Sequence, residues 1–158
     1  MTAISIEHLY ISPGHNFFGH HEQPAGVNPL EELSVIECVA GRGVRGDRFF
    51  DYKEDYKGQI TFFASEVFER VCHELGFHGK TPGLTRRNVI TRGQDLNLLI
   101  GKTFSVQGIE FAGVCECKPC YWMDQAIGPG AETALLGRGG LRARILTDGA
   151  LRVDRNDA

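Results

Sequence analysis

Three of the chain's five cysteines lie within six consecutive positions, and this stretch holds the residues best suited to chemistry. Cys115, Cys117 and Cys120 occur together with Lys118 and Pro119. The alternating apolar residues before them predict a strand, which Pro119 should end because proline cannot donate to a sheet and disfavours helix in the residue before it. A short helix beginning at Cys120 would place its sulfur near helix N-terminal amides, with Lys118 close by. Both neighbours favour the thiolate, the form that attacks electrophiles and binds soft metals.

The cysteine spacing is compatible with three kinds of site. A zinc site would need a fourth ligand beyond Cys115, Cys117 and Cys120, and no paired motif occurs elsewhere in the chain. Cys117 and Cys120 have the spacing of a redox dithiol, but no strand–helix–strand unit of the thioredoxin kind surrounds them. The third is a reactive thiolate at Cys120, with Cys117 as a neighbouring or resolving thiol. Burial in a strand explains Cys115, which alternates with Gly113 and Cys117, but not Cys120 after a proline, so we favour the reactive thiolate.

A glycine- and arginine-rich loop runs from Gly41 to Arg48, with three residues of each type in eight positions. Its backbone could approach an anion closely. The spacing and the Lys-Ser/Thr pair of a phosphate-binding Walker loop are absent. Taken alone, the segment is better explained as a solvated basic turn.

Further arginines are predicted on strand faces. Ahead of a short predicted strand, side-chain alternation places Arg86 and Asn88 on one face and Arg87 on the other. On a later strand, Arg142 and Arg144 share a face about 7 Å apart. Two guanidinium groups at that spacing repel each other unless they are solvated or neutralised by an anion.

A segment rich in Gly, Pro, Asn and His at about residues 13–29 is predicted as a long excursion or hairpin arm. It carries His15, His20 and His21. Neighbouring imidazoles can ligate a metal or donate to an anion. A polar loop explains the same residues, and we favour that interpretation because spacing alone does not establish a site.

Composition points to an ordinary globular protein. The 158 residues are 42% hydrophobic and 23% charged, which suggests one domain with a substantial core. The net charge of -3 gives no reason to expect binding to nucleic acid or to a membrane surface. No apolar run is long enough to span a membrane, and the N-terminus lacks the basic region followed by an apolar region of a secretory signal peptide. We therefore expect a cytoplasmic protein whose cysteines are free thiols.

The pattern of elements predicts a mostly β domain with short helices, of the α+β class, built as a closed or partly closed β-barrel. The predicted helices are 65–76, a short one from Cys120 and 131–136; a hairpin turns at Gln107-Gly108, and a last hairpin at Asp148-Gly149. The predicted strands are 5–11, 33–40, 58–63, 88–91, 103–106, 109–114, 141–147 and 150–153.

An ordered set of short motifs resembles the MOSC domain family, named for the C-terminal domain of molybdenum cofactor sulfurases. The resemblance covers about residues 35–154 and is densest from Arg86 onward. The motifs occur in the family's order: Gly46-Asp47-Arg48, Arg86-Arg87-Asn88, Lys118-Pro119-Cys120, Gly139-Gly140-Leu141-Arg142-Ala143-Arg144-Ile145-Leu146 and Asp148-Gly149. The chain resembles a stand-alone member, without the pyridoxal-phosphate-dependent domain of some relatives, so pyridoxal phosphate is not expected here.

The resemblance implies a β-barrel of the MOSC type that works with a molybdenum–molybdopterin cofactor. Cys120 would carry sulfur as a persulfide or ligate molybdenum, with Cys117 and Lys118 as further catalytic residues. Binding of the cofactor, including its phosphate, would fall to arginines, an asparagine and glycine amides: Arg48, Arg86, Asn88, Gly139, Gly140, Arg142 and Arg144. Cys115, Cys117 and the histidine-bearing segment depart from the family's minimal pattern.

Two activities follow from the resemblance, and two alternatives remain open. Sulfur transfer would need a donor such as a cysteine desulfurase. Reduction of N-hydroxylated compounds would need an electron-transfer protein, because the chain has no iron–sulfur ligand set or flavin fingerprint. The alternatives are a non-catalytic molybdopterin-binding or delivery module, and a zinc-stabilised structural domain.

Overall fold

The structure, a computed structural model, describes residues 4–13 and 30–154. The histidines of the predicted excursion, His15, His20 and His21, lie outside the described residues. Ten strands, three α-helices and two 3₁₀ helices occupy the described part. The strands are β1 (Ser5–Ile11), β2 (Glu31–Leu33), β3 (Val35–Val39), β4 (Gly43–Val44), β5 (Ile60–Ala64), β6 (Val89–Arg92), β7 (Thr103–Val106), β8 (Ile109–Glu116), β9 (Leu141–Ile145) and β10 (Gly149–Arg152). The α-helices are α1 (Ser65–Leu75), α2 (Trp122–Ala126) and α3 (Ala131–Leu135), and the 3₁₀ helices are Pro82–Thr85 and Leu96–Leu99.

The strands form two sheets. The larger has seven strands in the order β2-β1-β6-β5-β9-β8-β7, and the smaller has three in the order β10-β3-β4. All neighbours are antiparallel except the parallel pair β5 and β6. At Ser34 the chain passes from β2 in the larger sheet to β3 in the smaller, so the single strand predicted for 33–40 is divided between two sheets.

A hydrophobic core lies between the two sheets. Ile6, Phe62 and Phe111 of the larger sheet and Ile36 and Leu151 of the smaller are all 2% exposed or less and belong to one cluster. A second cluster covers the opposite face of the larger sheet, where α1, α2 and α3 pack. Because it is covered on both faces, β5 is apolar throughout apart from one threonine, as a central strand should be.

Much of the predicted secondary structure is confirmed. The first strand has the predicted bounds, and the β7–β8 hairpin turns at Gln107 and Gly108, whose φ angles of 51° and 83° are those a type I′ turn requires. The first helix ends at Gly76 in a left-handed conformation with φ of 73°. Ser65, predicted as its cap, is instead its first residue, and Ala64 occupies the cap position.

The predicted last hairpin is wrong. Strand β9 pairs with β5 and β8, whereas β10 pairs with β3 in the other sheet. The side chain of Asp148 accepts a hydrogen bond from the Ala40 amide at 2.7 Å and ties the connection to the end of β3. Gly149 packs so closely on Ile109 that a Cβ would lie 2.6 Å from its side chain. These long-range contacts direct the chain across to the smaller sheet.

Overall, the described residues form a mostly β, α+β fold. Their strand pairings leave β2 and β7 as the edges of the larger sheet, so the predicted closure into a barrel is not observed among them. Nowhere in residues 4–13 and 30–154 is a helix long and apolar enough to cross a bilayer.

Candidate functional site

A β-bulge in β8 decides where the cysteines point. Gly113 lies opposite Ala143 of β9, but Cys115 lies opposite Arg142, so the register shifts by one residue between them. The extra residue interrupts the alternation and turns Cys115 away from the core side that Gly113 occupies. The prediction that Cys115 is simply a buried strand cysteine is therefore wrong: it is half-buried and beside Arg142.

Cys117 follows the end of β8 and is 4% exposed. Its amide donates to the Gly140 carbonyl oxygen at 2.7 Å, and its own carbonyl oxygen accepts from Arg87 Nη2 at 3.1 Å. Its sulfur interacts electrostatically with the Arg142 guanidinium. Burial lowers the pKa of Arg142, but the interactions with Cys117, Tyr56 and Cys115 together outweigh that effect and raise the pKa overall. Cys117 is thus a buried thiol held against a cation.

Cys120 lies three residues further on and is exposed, as is Lys118. Pro119 between them is buried against Gly139, where an added Cβ would lie 2.8 Å from the proline Cδ. The helix predicted to begin at Cys120 begins at Trp122 and has only five residues, so the Cys120 sulfur is not placed by a helix N-terminus. The fixed proline holds Cys120 at the surface.

The Arg86-Arg87-Asn88 motif is arranged differently from the prediction. Arg86 has φ of 57° at the end of a 3₁₀ helix, so strand alternation does not apply to it. Arg87 donates to three backbone carbonyls, those of Thr85, Cys117 and Gly139, at 3.1 to 3.2 Å.

Asn88, predicted to bind a cofactor, is engaged in holding strands together. Its Oδ1 accepts from the Thr61 amide at 3.0 Å and its Nδ2 donates to the Tyr10 carbonyl at 3.2 Å. Both ends of the side-chain amide are thereby used to join the chain at β5 to β1.

These segments surround a cavity of about 240 Å³. Among the described residues, its walls carry five basic side chains and no carboxylate: Arg48, Arg86, Arg87, Lys118 and Arg142. The other lining residues are two thiols, Cys117 and Cys120, the small or aliphatic residues Leu84, Thr85 and Ala126, and Phe49, Trp122 and Met123. We call this space the cysteine cavity. Its charge and its thiols together make it the candidate functional site.

The positive charge of the cysteine cavity is only partly neutralised. The Nε and Nη2 atoms of Arg86 are buried and have no hydrogen-bond partner in the part of the chain that the structure describes. Burial lowers the pKa of Arg86, and the nearby Arg48 lowers it further. Asp47 supplies a counter-charge 3.6 Å from Arg48, but its carboxylate also accepts from the backbone amides of Ser12 and Phe49. An anion would relieve this excess of positive charge.

Not every predicted site residue reaches the cysteine cavity. Arg144 points elsewhere and pairs with Asp55, Nε to Oδ1, at 2.9 Å. The Gly139 amide already donates to Glu116 Oε2 at 3.2 Å. Gly140 borders a separate cavity of about 550 Å³, and no cysteine is among the described residues that line it.

The predicted Gly41–Arg48 loop contains the short strand β4. Arg42 forms an exposed ion pair with Asp51 and Arg45 forms one with Glu37, as expected for side chains of a solvated basic turn. Arg48 alone of the loop's arginines lines the cysteine cavity. Side-chain alternation predicts Arg87 on the opposite strand face from Arg86. In the structure both arginines line the cysteine cavity. The motif that places Arg87 beside Arg86 is the only sequence signal for it.

The zinc alternative lacks a ligand set in the part of the chain that the structure describes. No group of three or more His, Cys, Asp or Glu side chains there could hold a metal ion. All five cysteines are free thiols. Among these described residues, Cys115, Cys117 and Cys120 do not group as the three cysteine ligands that the zinc alternative requires.

Comparison with known proteins agrees with the fold. The MOSC domain family model matches residues 43–156. The YuaD protein from Bacillus subtilis superposes with a TM-score of 0.72 at 20% identity, over 97% of this chain and 92% of that chain. YiiM from Geobacillus stearothermophilus superposes with a TM-score of 0.65 at 15% identity, over 94% of this chain and 71% of that chain. No curated protein is significantly similar in sequence. Since the family model matches well over half of the residues, the chain belongs to the MOSC domain family.

Proposed function

We propose that this protein works with the molybdenum cofactor, holding the cofactor's phosphate in the cysteine cavity and carrying sulfur as a persulfide on Cys120. MOSC domain proteins are associated with this cofactor. The observation that carries the proposal is Arg86, whose buried Nε and Nη2 atoms have no partner among residues 4–13 and 30–154, in a cavity that also holds two thiols.

Buried donors without acceptors cost about 1–3 kcal/mol each, so folded proteins rarely keep them without a functional reason. A phosphate offers the acceptors that a guanidinium fork matches. Arg48, Arg87, Lys118 and Arg142 in the same walls add positive charge that favours a dianion. The residues present therefore fit a phosphorylated ligand.

Size restricts how such a ligand would be held. The cavity of about 240 Å³ is smaller than typical small-molecule pockets of roughly 300–1,000 Å³. It suits a phosphate and the atoms next to it. The pterin would then extend over the rim, where Lys118 and Cys120 are exposed.

Cys120 suits sulfur carriage because its thiol is exposed while the adjoining Pro119 is buried and fixed. Its thiolate would attack the outer sulfur of a donor persulfide. A new S–S bond forms on Cys120, the donor's S–S bond breaks, and the electron pair leaves with the donor thiolate. A cysteine desulfurase is the partner class that supplies such a persulfide, and a reducing compartment such as the cytoplasm keeps the acceptor thiol available.

A second candidate is that Cys120 ligates molybdenum in an enzyme that reduces N-hydroxylated compounds. Its soft, exposed sulfur beside an anion-binding cavity favours this role. The bound cofactor would supply the oxygen-atom chemistry, and an electron-transfer protein would supply electrons. Cys120 would hold the metal while Arg86 and Arg142 orient the cofactor.

Replacing Cys120 by Ser tests both candidates, with Cys72→Ser as the control because Cys72 is a half-buried thiol of α1 outside the cavity. Three quantities are measured: sulfur retained after treatment with glutathione persulfide, molybdenum in protein purified from its own host, and pyrophosphate affinity. Pyrophosphate binding can be followed by fluorescence, since the only tryptophan, Trp122, lines the cavity.

We expect Cys120→Ser to abolish sulfur retention at that position, with Cys72→Ser unchanged and pyrophosphate affinity intact in both variants. Loss of molybdenum from Cys120→Ser, without any sulfur loading of the unaltered protein, would favour the metal-ligand candidate. If the unaltered protein takes up no sulfur, and Cys120→Ser keeps both its molybdenum and its pyrophosphate affinity, the protein is a non-catalytic binding module instead.

A further inference from the structure

Two thiols open into the cysteine cavity at different depths. Cys117 is 4% exposed, whereas Cys120 is exposed at the rim. We propose that Cys117 is an inner acceptor that receives the outer sulfur of a persulfide formed on Cys120, so that the cavity is a two-position sulfur relay. This inference rests on the proposed sulfur-carrying function and adds a second reacting residue to it.

The backbone of Cys117 is fixed from two sides. Its amide donates to Gly140 and its carbonyl accepts from Arg87. A Cβ on Gly139 would lie 2.4 Å from the same carbonyl oxygen, so the neighbouring chain is packed directly against it. A thiol held in this way stays inside the cavity and out of reach of large reagents.

Two guanidinium groups interact with the sulfur of Cys117. Arg142 and Arg48 line the same cavity and both interact with this sulfur electrostatically. Tyr56, 8% exposed, also interacts electrostatically with both Cys117 and Arg142. Guanidinium groups stabilise an anionic sulfur, whether thiolate or persulfide. Sulfur at this position would be protected from thiols in solution.

The transfer is balanced and needs no oxidant. The Cys117 thiolate attacks the outer sulfur of the Cys120 persulfide. An S–S bond forms on Cys117 as the S–S bond of Cys120 breaks, and the electron pair of the broken bond returns to Cys120 as a thiolate. The outer sulfur projects about 2 Å beyond the Cys120 sulfur, so the two cysteines need not approach to disulfide distance.

Cys115 supplies a matched control. Cys115 lies on β8 opposite Arg142 of β9, and it interacts with the same guanidinium as Cys117. Cys115 does not line the cavity. A relay that works through the cavity should therefore bypass Cys115. If proximity to Arg142 alone decided where sulfur goes, Cys115 would be labelled as well.

The experiment treats the full-length protein with glutathione persulfide, traps the products by alkylation, and locates the added sulfur by fragmentation mass spectrometry. The variants are Cys120→Ser, Cys117→Ser, Cys115→Ser and Arg142→Gln. In the unaltered protein we expect sulfur on both Cys117 and Cys120. In Cys120→Ser we expect at least about tenfold less on Cys117, because the bulky donor cannot reach a buried thiol directly.

Cys117→Ser should keep sulfur on Cys120 and lose it faster to added thiol. Arg142→Gln, which keeps both cysteines, should lower the share of added sulfur found on Cys117, and Cys115→Ser should match the unaltered protein.

If Cys120 is loaded while Cys117 never is, or if Cys117 loads equally well in Cys120→Ser, the relay is wrong although sulfur carriage stands. If the unaltered protein takes sulfur at neither position, the proposed function itself fails. Thermal melting checks that each variant is folded. If Cys117→Ser unfolds, the separate Cys120→Ser and Arg142→Gln variants still test the relay.

Discussion

Arg87 Nη2 donates to the carbonyl oxygen of Cys117 at 3.1 Å, which ties the cysteine segment to the chain that enters β6. The same guanidinium reaches the carbonyls of Gly139 and Thr85. Three segments that are far apart in sequence therefore meet at one side chain. This is why Arg87, although it lines the cysteine cavity, is mainly a positioning residue.

Replacing Arg87 by Met should destabilise the fold, because it leaves the carbonyls of Thr85, Cys117 and Gly139 without their donor. We expect the free energy of unfolding to fall by about 2–4 kcal/mol. Urea denaturation measures it. Arg70→Ala on the exposed face of α1 is the control and should change the free energy by less than about 0.5 kcal/mol. Equal effects of the two substitutions would contradict the role given to Arg87.

Replacing Arg86 by Met should weaken anion binding while changing the stability of the fold little. Its buried Nε and Nη2 have no partner, so their loss should leave the free energy of unfolding within about 1 kcal/mol or increase it. Pyrophosphate affinity, followed by Trp122 fluorescence, should weaken at least about tenfold, since a charge-assisted bidentate contact is lost. Strong destabilisation with unchanged affinity would show that Arg86 has a structural role instead.

Replacing Gly139 by Ala should disturb the cysteine segment. The new Cβ would lie 2.4 Å from the Cys117 carbonyl oxygen and 2.8 Å from Pro119 Cδ, and neither atom belongs to a flexible side chain. We expect a loss of about 2–4 kcal/mol in unfolding free energy and faster alkylation of Cys117. Gly137→Ala is the control, because nothing lies within 4 Å of its Cβ and only its φ of +80° adds strain. That control should cost only about 1 kcal/mol.

Cys38 should make stability decline at alkaline pH. It is 0% exposed on β3, and burial, with the nearby Glu37 carboxylate, raises the pKa of its thiol from 9.0 to about 12. Between those values the unfolded chain releases the Cys38 proton and the folded chain does not, so its contribution is complete below pH 9 and is lost as pH rises toward 12.

The measurement compares the unaltered protein with Cys38→Val at pH 8 and pH 10. From pH 8 to pH 10 the unaltered protein should lose about 1 kcal/mol more unfolding free energy than the variant. Valine is chosen because it fills a buried strand position without an ionisable group. A difference that does not depend on pH would mean that the Cys38 thiol ionises as readily in the folded protein as in the unfolded one.

Local patterns predicted the elements whose neighbours are close in sequence. The β7–β8 hairpin follows from Gln107-Gly108 between two alternating runs, and α1 follows from its apolar stripe and Gly76. The last hairpin failed for the converse reason. Asp148-Gly149 is a good turn sequence, but contacts with Ala40 and Ile109 divert the chain to the other sheet. Such contacts leave no trace in local sequence.

The sequence by itself determined which groups could act: a cysteine after a proline, a lysine beside it, and arginines in several short motifs in the order of the MOSC family. Only the tertiary structure decided which of them meet. The β8 bulge aligned Cys115 with Arg142, Asn88 was used to join strands, and Arg144 was paired with Asp55. The reason is physical: residue type is a local property, whereas register, burial and charge pairing depend on segments that lie far apart in the chain.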